Sequence, residues 1–107
     1  LTIQEDTMAV KILIKRRIPE NIRETLFNTL IRELRVLATA QSGYISGETL
    51  KRVDRPNEYL VISTWHSMEA WNAWQASPER AEIQNRIEAM VGEQTQYEAY
   101  EYIKSLK

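Results

Sequence analysis

The chain has 107 residues, enough for one hydrophobic core and too few for two. Hydrophobic residues make up 43% and charged residues 27%, a globular balance that excludes disorder, a fibre and a low-complexity array. With 14 Lys+Arg against 15 Asp+Glu the formal charge is −1, so no bulk field draws the protein to nucleic acid or anionic lipid.

Cysteine is absent, which removes disulfides, thiolate nucleophiles and Cys-based metal sites. There is one histidine, His66, and no spacing of several ligands that suits a metal. No apolar run approaches the roughly 20 residues of a membrane span. Residues 1–7 are polar and acidic, unlike a signal peptide, and read as an extension, a scar or a frayed terminus. A soluble, cytoplasmic protein is expected, with one domain over residues 8–103 and a polar tail at 104–107.

Residues 9–17, AVKILIKRR, alternate Val10, Ile12 and Ile14 with Lys11, Leu13 and Lys15, a period of two that predicts a strand. Pro19 ends it, and Asn21 with Glu24 has capping-box spacing. Ile22, Leu26, Leu30, Ile31, Leu34 and Leu37 then recur at helical spacing, to a stop near Gln41 and Gly43. A second strand is expected over 44–53, with Gly47 at a bulge or a close backbone approach. The segment 54–57 (DRPN) has turn composition. Residues 58–65, EYLVISTW, are apolar on both faces and predict a strand inside a layered structure.

Ser67 caps a helix carrying Met68, Trp71 and Trp74. Ser77-Pro78 starts a fresh helix with Ala81, Ile83, Ile87, Met90 and Val91, which Gly92 stops. Residues 95–103 alternate Tyr97, Ala99 and Glu101 against Glu98, Tyr100 and Tyr102, a last strand. The order β-α-β-β-α-β predicts a ferredoxin-like α+β fold, a four-stranded antiparallel sheet with helices on one face. The other face carries Leu60, Ile62 and tyrosines. Exposed apolar area costs on the order of 25 cal/mol per Å², so a homodimer pairing its sheets into a barrel is expected.

The run GYISGETLKRVDRPNEYLVISTWHSMEAWNAWQASPER, residues 43–80, resembles the antibiotic biosynthesis monooxygenase domain family, a dimeric α+β barrel group. The shared features are a Gly-Tyr opening the second strand, a Pro-containing turn and an apolar strand ending in Trp-x-Ser. An aromatic-rich helix and a Ser-Pro-x-Arg cap follow, and the likeness extends over residues 8–103. It implies a cofactor-independent monooxygenase acting with molecular oxygen on a small aromatic or quinol-type molecule. The alternative is a non-catalytic dimeric metabolite-binding or scaffold domain. The haem-degrading branch uses a strand Asn, a helix Trp and a His about ten residues on. Trp74 fits, but Gln84 replaces the His and Lys15 or Arg16 the Asn, so haem cleavage is disfavoured.

Imidazole is the side-chain type suited to proton transfer near neutral pH, so His66 could take a proton from a phenolic substrate, or be a surface residue at a strand end. Trp65, Trp71 and Trp74 with Tyr44 could wall a planar substrate, or pack the core. Lys15, Arg16, Arg17 and Arg52 read as a solvated strand end able to attract an anion. No nucleotide-binding glycine fingerprint is present. RNA binding, which the same fold order serves, lacks its basic-Gly-aromatic strand motif.

Overall fold

The computed structural model describes residues 9–106. The expected extension 1–7, Met8 and Lys107 lie outside the described residues. Strands β1 (Val10–Arg17), β2 (Tyr44–Lys51), β3 (Glu58–Trp65) and β4 (Gln96–Glu101) form one sheet in the order β2-β3-β1-β4, every pair antiparallel. Helices α1 (Glu24–Thr39), α2 (Met68–Gln75) and α3 (Pro78–Val91) complete the order β-α-β-β-α-α-β. This is the ferredoxin-like arrangement that the element order predicts.

The two faces of the sheet follow from strand parity. Val10, Ile12, Ile14 and Arg16 of β1 are buried, with Val61, Ser63 and Trp65 of β3 on the same side. Alternate residues occupy the other face in register. One row runs Ser46, Thr64, Lys11, Tyr100; the next Glu48, Ile62, Leu13, Glu98; the third Leu50, Leu60, Lys15, Gln96. The centre of that face is therefore Leu13, Leu50, Leu60 and Ile62, crossed by Lys15 paired to Glu98 at 3.1 Å.

Two apolar clusters fill the helix side. Val10, Ile12, Ile14, Val61 and Trp65 pack with Trp71, Trp74 and Ala38; Ile18, Phe27, Leu30 and Ile31 pack with Ile83, Ile87 and Val91. Leu34 and Leu37 touch both and join them. The buried stripe of α1 is Phe27, Leu30, Ile31 and Ala38, at helical spacing. Leu26, expected on that stripe, is instead exposed.

The Asn21–Glu24 capping box does not form. Residues 19–22 make a turn closed by Ile22 N–H on the Pro19 carbonyl at 3.1 Å, and α1 starts later with Arg23 at the cap. Arginine has no acceptor to offer the first-turn amides. Both expected serine caps are present: Ser67 Oγ accepts from Ala70 N–H at 3.1 Å and Ser77 Oγ from Arg80 N–H at 3.2 Å. Strand β2 ends at Lys51 and β4 spans only Gln96–Glu101, both shorter than the alternation suggests. The tail turns through a short 3₁₀ segment, Lys104–Leu106.

The bulge in β2 falls between Tyr44 and Ser46, not at Gly47. That extra residue puts Tyr44 and Gly47 on the same face. Gly47 is the close approach: a Cβ there would lie 2.8 Å from the Tyr44 hydroxyl and 2.9 Å from Arg35 Nε. Arg35 in turn donates to the Gly47 carbonyl at 3.1 Å and to Thr49 Oγ1 at 2.8 Å.

Candidate active site

Between the helices and the sheet lies a small cavity of about 40 Å³. Its aromatic wall is Tyr44, Trp71 and Trp74; its polar groups are Ser63, Arg16, Arg35 and Arg80. By volume it admits roughly three waters, whereas a benzene-sized ring needs nearer 150 Å³. A second opening, a groove of about 430 Å³, lies at the end of the sheet and includes Leu50, Tyr59 and Leu60 among Lys15, Arg17, Lys51 and Arg52. That volume is in the range of small-molecule sites. Arg16 lines both openings.

The structure brings together three of the five residues expected at the site. Trp71 and Trp74 lie three apart on α2, share its buried face and reach the cavity with Tyr44 from β2. Trp65 is fully buried behind them and does not line the cavity. It stacks on Trp74 at 6.5 Å between centroids, meets Trp71 at 5.9 Å and Tyr44 edge-on at 5.3 Å, and donates from Nε1 to Ser63 Oγ at 2.6 Å. Its role is to hold the wall in place.

His66 is the residue the structure does not bring in. Successive strand side chains alternate, so with Trp65 pointing inward His66 points out. It is exposed and lines neither opening. Its amide is structural, donating to the Gly43 carbonyl at 2.8 Å. Among the described residues no imidazole or carboxylate lines the cavity.

The polar groups of the cavity were the ones missed. Arg16, expected to be solvated with its neighbours, is 6% exposed, and Arg80 is 5% exposed. Lys15, Arg17 and Arg52 are indeed outside and paired with carboxylates, but Arg16 shares the parity of Ile12 and Ile14 and must turn inward. Its Nη2 donates to Gln84 Oε1 at 2.9 Å. Gln84 Nε2 donates to Glu88 Oε2 at 2.8 Å and Thr95 Oγ1 at 2.7 Å. Arg80 donates to the Tyr97 hydroxyl and lies over the Trp71 and Tyr97 rings at 5.6 and 5.2 Å.

Neither arginine forms an ion pair with a carboxylate among the described residues. Burial pulls the Arg16 pKa down to about 10, helped by the Arg80 charge and opposed by Tyr97 and Glu88. Arg16 remains charged at neutral pH, and its Nε is buried without a hydrogen-bond partner. Among the described residues no three His, Asp or Glu side chains gather as a metal would require. No described helix is long and apolar enough to cross a membrane.

Comparison with known proteins adds the family to this geometry. No curated protein matches the sequence. Among solved structures, a conserved protein of Methanosarcina mazei Go1 superposes with a TM-score of 0.85 at 14% identity, over 94% of this chain and 99% of that one. SnoaB of Streptomyces nogalater, a cofactor-independent oxygenase, superposes at 0.79 with 14% identity, over 90% and 94%. Rv0793 of Mycobacterium tuberculosis superposes at 0.77 with 14% identity, over 89% and 95%. At such identities the likeness is one of fold. The sequence profile that describes antibiotic biosynthesis monooxygenases matches residues 10–86, which carry three of the four strands, α1, α2 and most of α3. On that match, the chain belongs to the antibiotic biosynthesis monooxygenase family.

Proposed function

We propose that this chain is a cofactor-independent monooxygenase acting on a small aromatic or quinol-type molecule whose oxygen-bearing head enters the cavity walled by Tyr44, Trp71 and Trp74. The observation that carries the reading is an aromatic cavity with buried positive charge in a chain of this family. An ionised phenol is electron-rich and can itself reduce dioxygen. One oxygen atom enters the ring as a quinone carbonyl. The other leaves as water with the two hydrogens the phenol loses, one from its hydroxyl and one from the ring carbon.

The protein's part is to exclude water, align the reactants and favour the ionised substrate. With no imidazole or carboxylate in the lining, proton removal rests on lowering the substrate's own pKa beside Arg16 and Arg80. The proposed site is therefore Tyr44, Trp71 and Trp74 with the two arginines, Trp65 supporting from behind, and His66 outside it. Haem cleavage remains disfavoured, because both ends of the Gln84 amide are engaged by Arg16, Glu88 and Thr95.

A homodimer is part of the proposal. Leu13, Leu50, Leu60 and Ile62 lie on a face no helix covers, ringed by Lys11, Lys15, Glu48 and Glu98, a pattern that a two-fold partner can match with opposite charges.

The test is oxygen uptake with a panel of phenols and hydroquinones under isotope-labelled dioxygen. Label should enter the quinone at a rate above the protein-free reaction. Trp74→Phe should slow it and His66→Ala should not. Uptake no faster than without protein leaves the second reading, a metabolite-binding domain, which a described lining without a general base favours.

A further inference from the structure

Two guanidinium groups that share one cavity and pair with no carboxylate are an unusual use of a small core. Arg16 comes from β1 and Arg80 from the first turn of α3, and both are more than nine-tenths buried. Like charges in a dry site repel, and each loses its hydration. Arg80 is partly compensated by the Tyr97 hydroxyl and two aromatic faces. Arg16 has one neutral partner, Gln84 Oε1, and its Nε is left unmatched. The nearest acidic side chain in this network, Glu88, accepts from Gln84 and from the Thr95 amide rather than from either arginine.

We propose that Arg16 and Arg80 form a binding subsite for an oxyanion carried on an aromatic ring, at the place where the inner cavity meets the outer groove. The proposal rests on the reading of the cavity as the substrate site and names the chemistry of what enters it. A guanidinium presents its donors in a planar fork that suits a carboxylate or an ionised phenol, and the free Nε supplies the missing contact. The volumes agree with a divided ligand. The cavity of about 40 Å³ takes the anionic head and not a ring. The groove of about 430 Å³ takes the body, between Tyr59 and the border of the open sheet face where Leu50 and Leu60 would also meet a two-fold partner. Arg16 stands at the boundary, since it lines both. Of the cations around the groove, Lys15, Arg17 and Arg52 are already paired with Glu98, Glu93, Asp54 and Glu58, which leaves Lys51 to bias the approach.

The test compares matched probes on the unmodified protein, followed by the tryptophan fluorescence of the cavity wall. Benzoate is set against benzamide, and para-nitrophenolate against para-nitroanisole. The charged member of at least one pair should bind about tenfold or more tightly than its neutral partner. The pair with the larger ratio tells a carboxylate from a phenolate. Bound para-nitrophenol should also ionise at a lower pH than the free compound, read from its visible absorbance. Arg16→Gln and Arg80→Gln should each weaken the charged probe and leave the neutral one unchanged. Equal binding within both pairs, or no saturable binding of either anion, overturns the proposal without recourse to any variant. So does charged-probe binding that neither substitution alters. Oxygen uptake reports separately: anion binding without uptake sinks the monooxygenase reading alone, and uptake without charge preference sinks this one alone.

Discussion

The Arg16 guanidinium and the Gln84 carboxamide meet at 2.9 Å inside the core, although they stand 68 residues apart in the chain. A carboxamide is a weak answer to a buried cation. It supplies one neutral acceptor, and Glu88 is held away by Gln84 Nε2 and the Thr95 amide. An incompletely compensated charge opposes folding rather than supporting it. On the proposal above, it is anion binding that this cost serves.

Arg16→Met should therefore separate stability from binding. It removes a buried charge while keeping most of the volume, a change that is often neutral or stabilising by about 1–4 kcal/mol. Against this, Gln84 Oε1 loses its donor, at about 1–3 kcal/mol. Urea denaturation should show a net change within about 2 kcal/mol of zero, while benzoate and para-nitrophenolate binding is lost. A large loss of stability would make Arg16 a structural residue.

The Arg16 pKa of about 10, lowered chiefly by burial, sets a pH window. From about 10 up to the ordinary arginine value the unfolded chain binds more proton at this position than the folded one. The contribution of Arg16 to stability therefore rises with pH across that window, its penalty being full below it. Oxyanion binding should run the opposite way, because it needs the charged form. Affinity for para-nitrophenolate should be level at pH values where both probe and Arg16 are ionised, and should fall as pH passes about 10. In Arg16→Gln the residual binding should lose that fall. Titration by absorbance at constant ionic strength checks both.

The fold was legible because its signals are local. Alternation in AVKILIKRR and EYLVISTW, the Ser67 and Ser77-Pro78 caps and the Gly92 stop each report on a few adjacent residues, and each element formed where these stand. The aromatic wall was legible for the same reason, since Trp71 and Trp74 are one helical step apart. Arg16 was misjudged, and Arg80 passed over, because charge was weighed above position. Arg16 has the parity of Ile12 and Ile14. Arg80 and Gln84 fall on the stripe of Ile83, Ile87 and Val91, so the pattern that found the core already contained them. What no local pattern holds is that β1 and α3 set these side chains against one another. His66 went the opposite way: its chemistry singled it out, and alternation from Trp65 puts it outside the cavity.

Gly43 and Gly92 offer a controlled pair for the backbone. Both have positive φ, +87° and +82°. A Cβ at Gly43 would lie 2.5 Å from the Ala70 Cβ, whereas at Gly92 nothing stands within 4 Å. Gly92→Ala should cost only the backbone strain, about 1 kcal/mol. Gly43→Ala adds a clash with α2 where it packs beside the cavity, and should cost about 3 kcal/mol or more. Equal midpoint shifts in urea would show that the contact yields without cost.

The uncovered sheet face predicts a dissociating substitution. Ile62 and Leu13 are neighbours in the central row, with Glu48 and Glu98 at its two ends. A glutamate at position 62 would add a third acid to that row. In a two-fold assembly it would face a buried interface twice, once from each copy. Within one chain it would stand at the surface between Leu13 and Glu48, with Lys11 and Lys15 in the adjoining rows. Sedimentation at micromolar concentration should give twice the 12.6 kDa chain mass for the unmodified protein and 12.6 kDa for Ile62→Glu, with the far-ultraviolet dichroism unchanged. An unmodified protein that sediments at 12.6 kDa leaves Leu13, Leu50, Leu60 and Ile62 wet in the native state. The pairing would then be wrong, while the inner cavity, built from one chain, would be untouched and the groove would have Leu50 and Leu60 open to solvent.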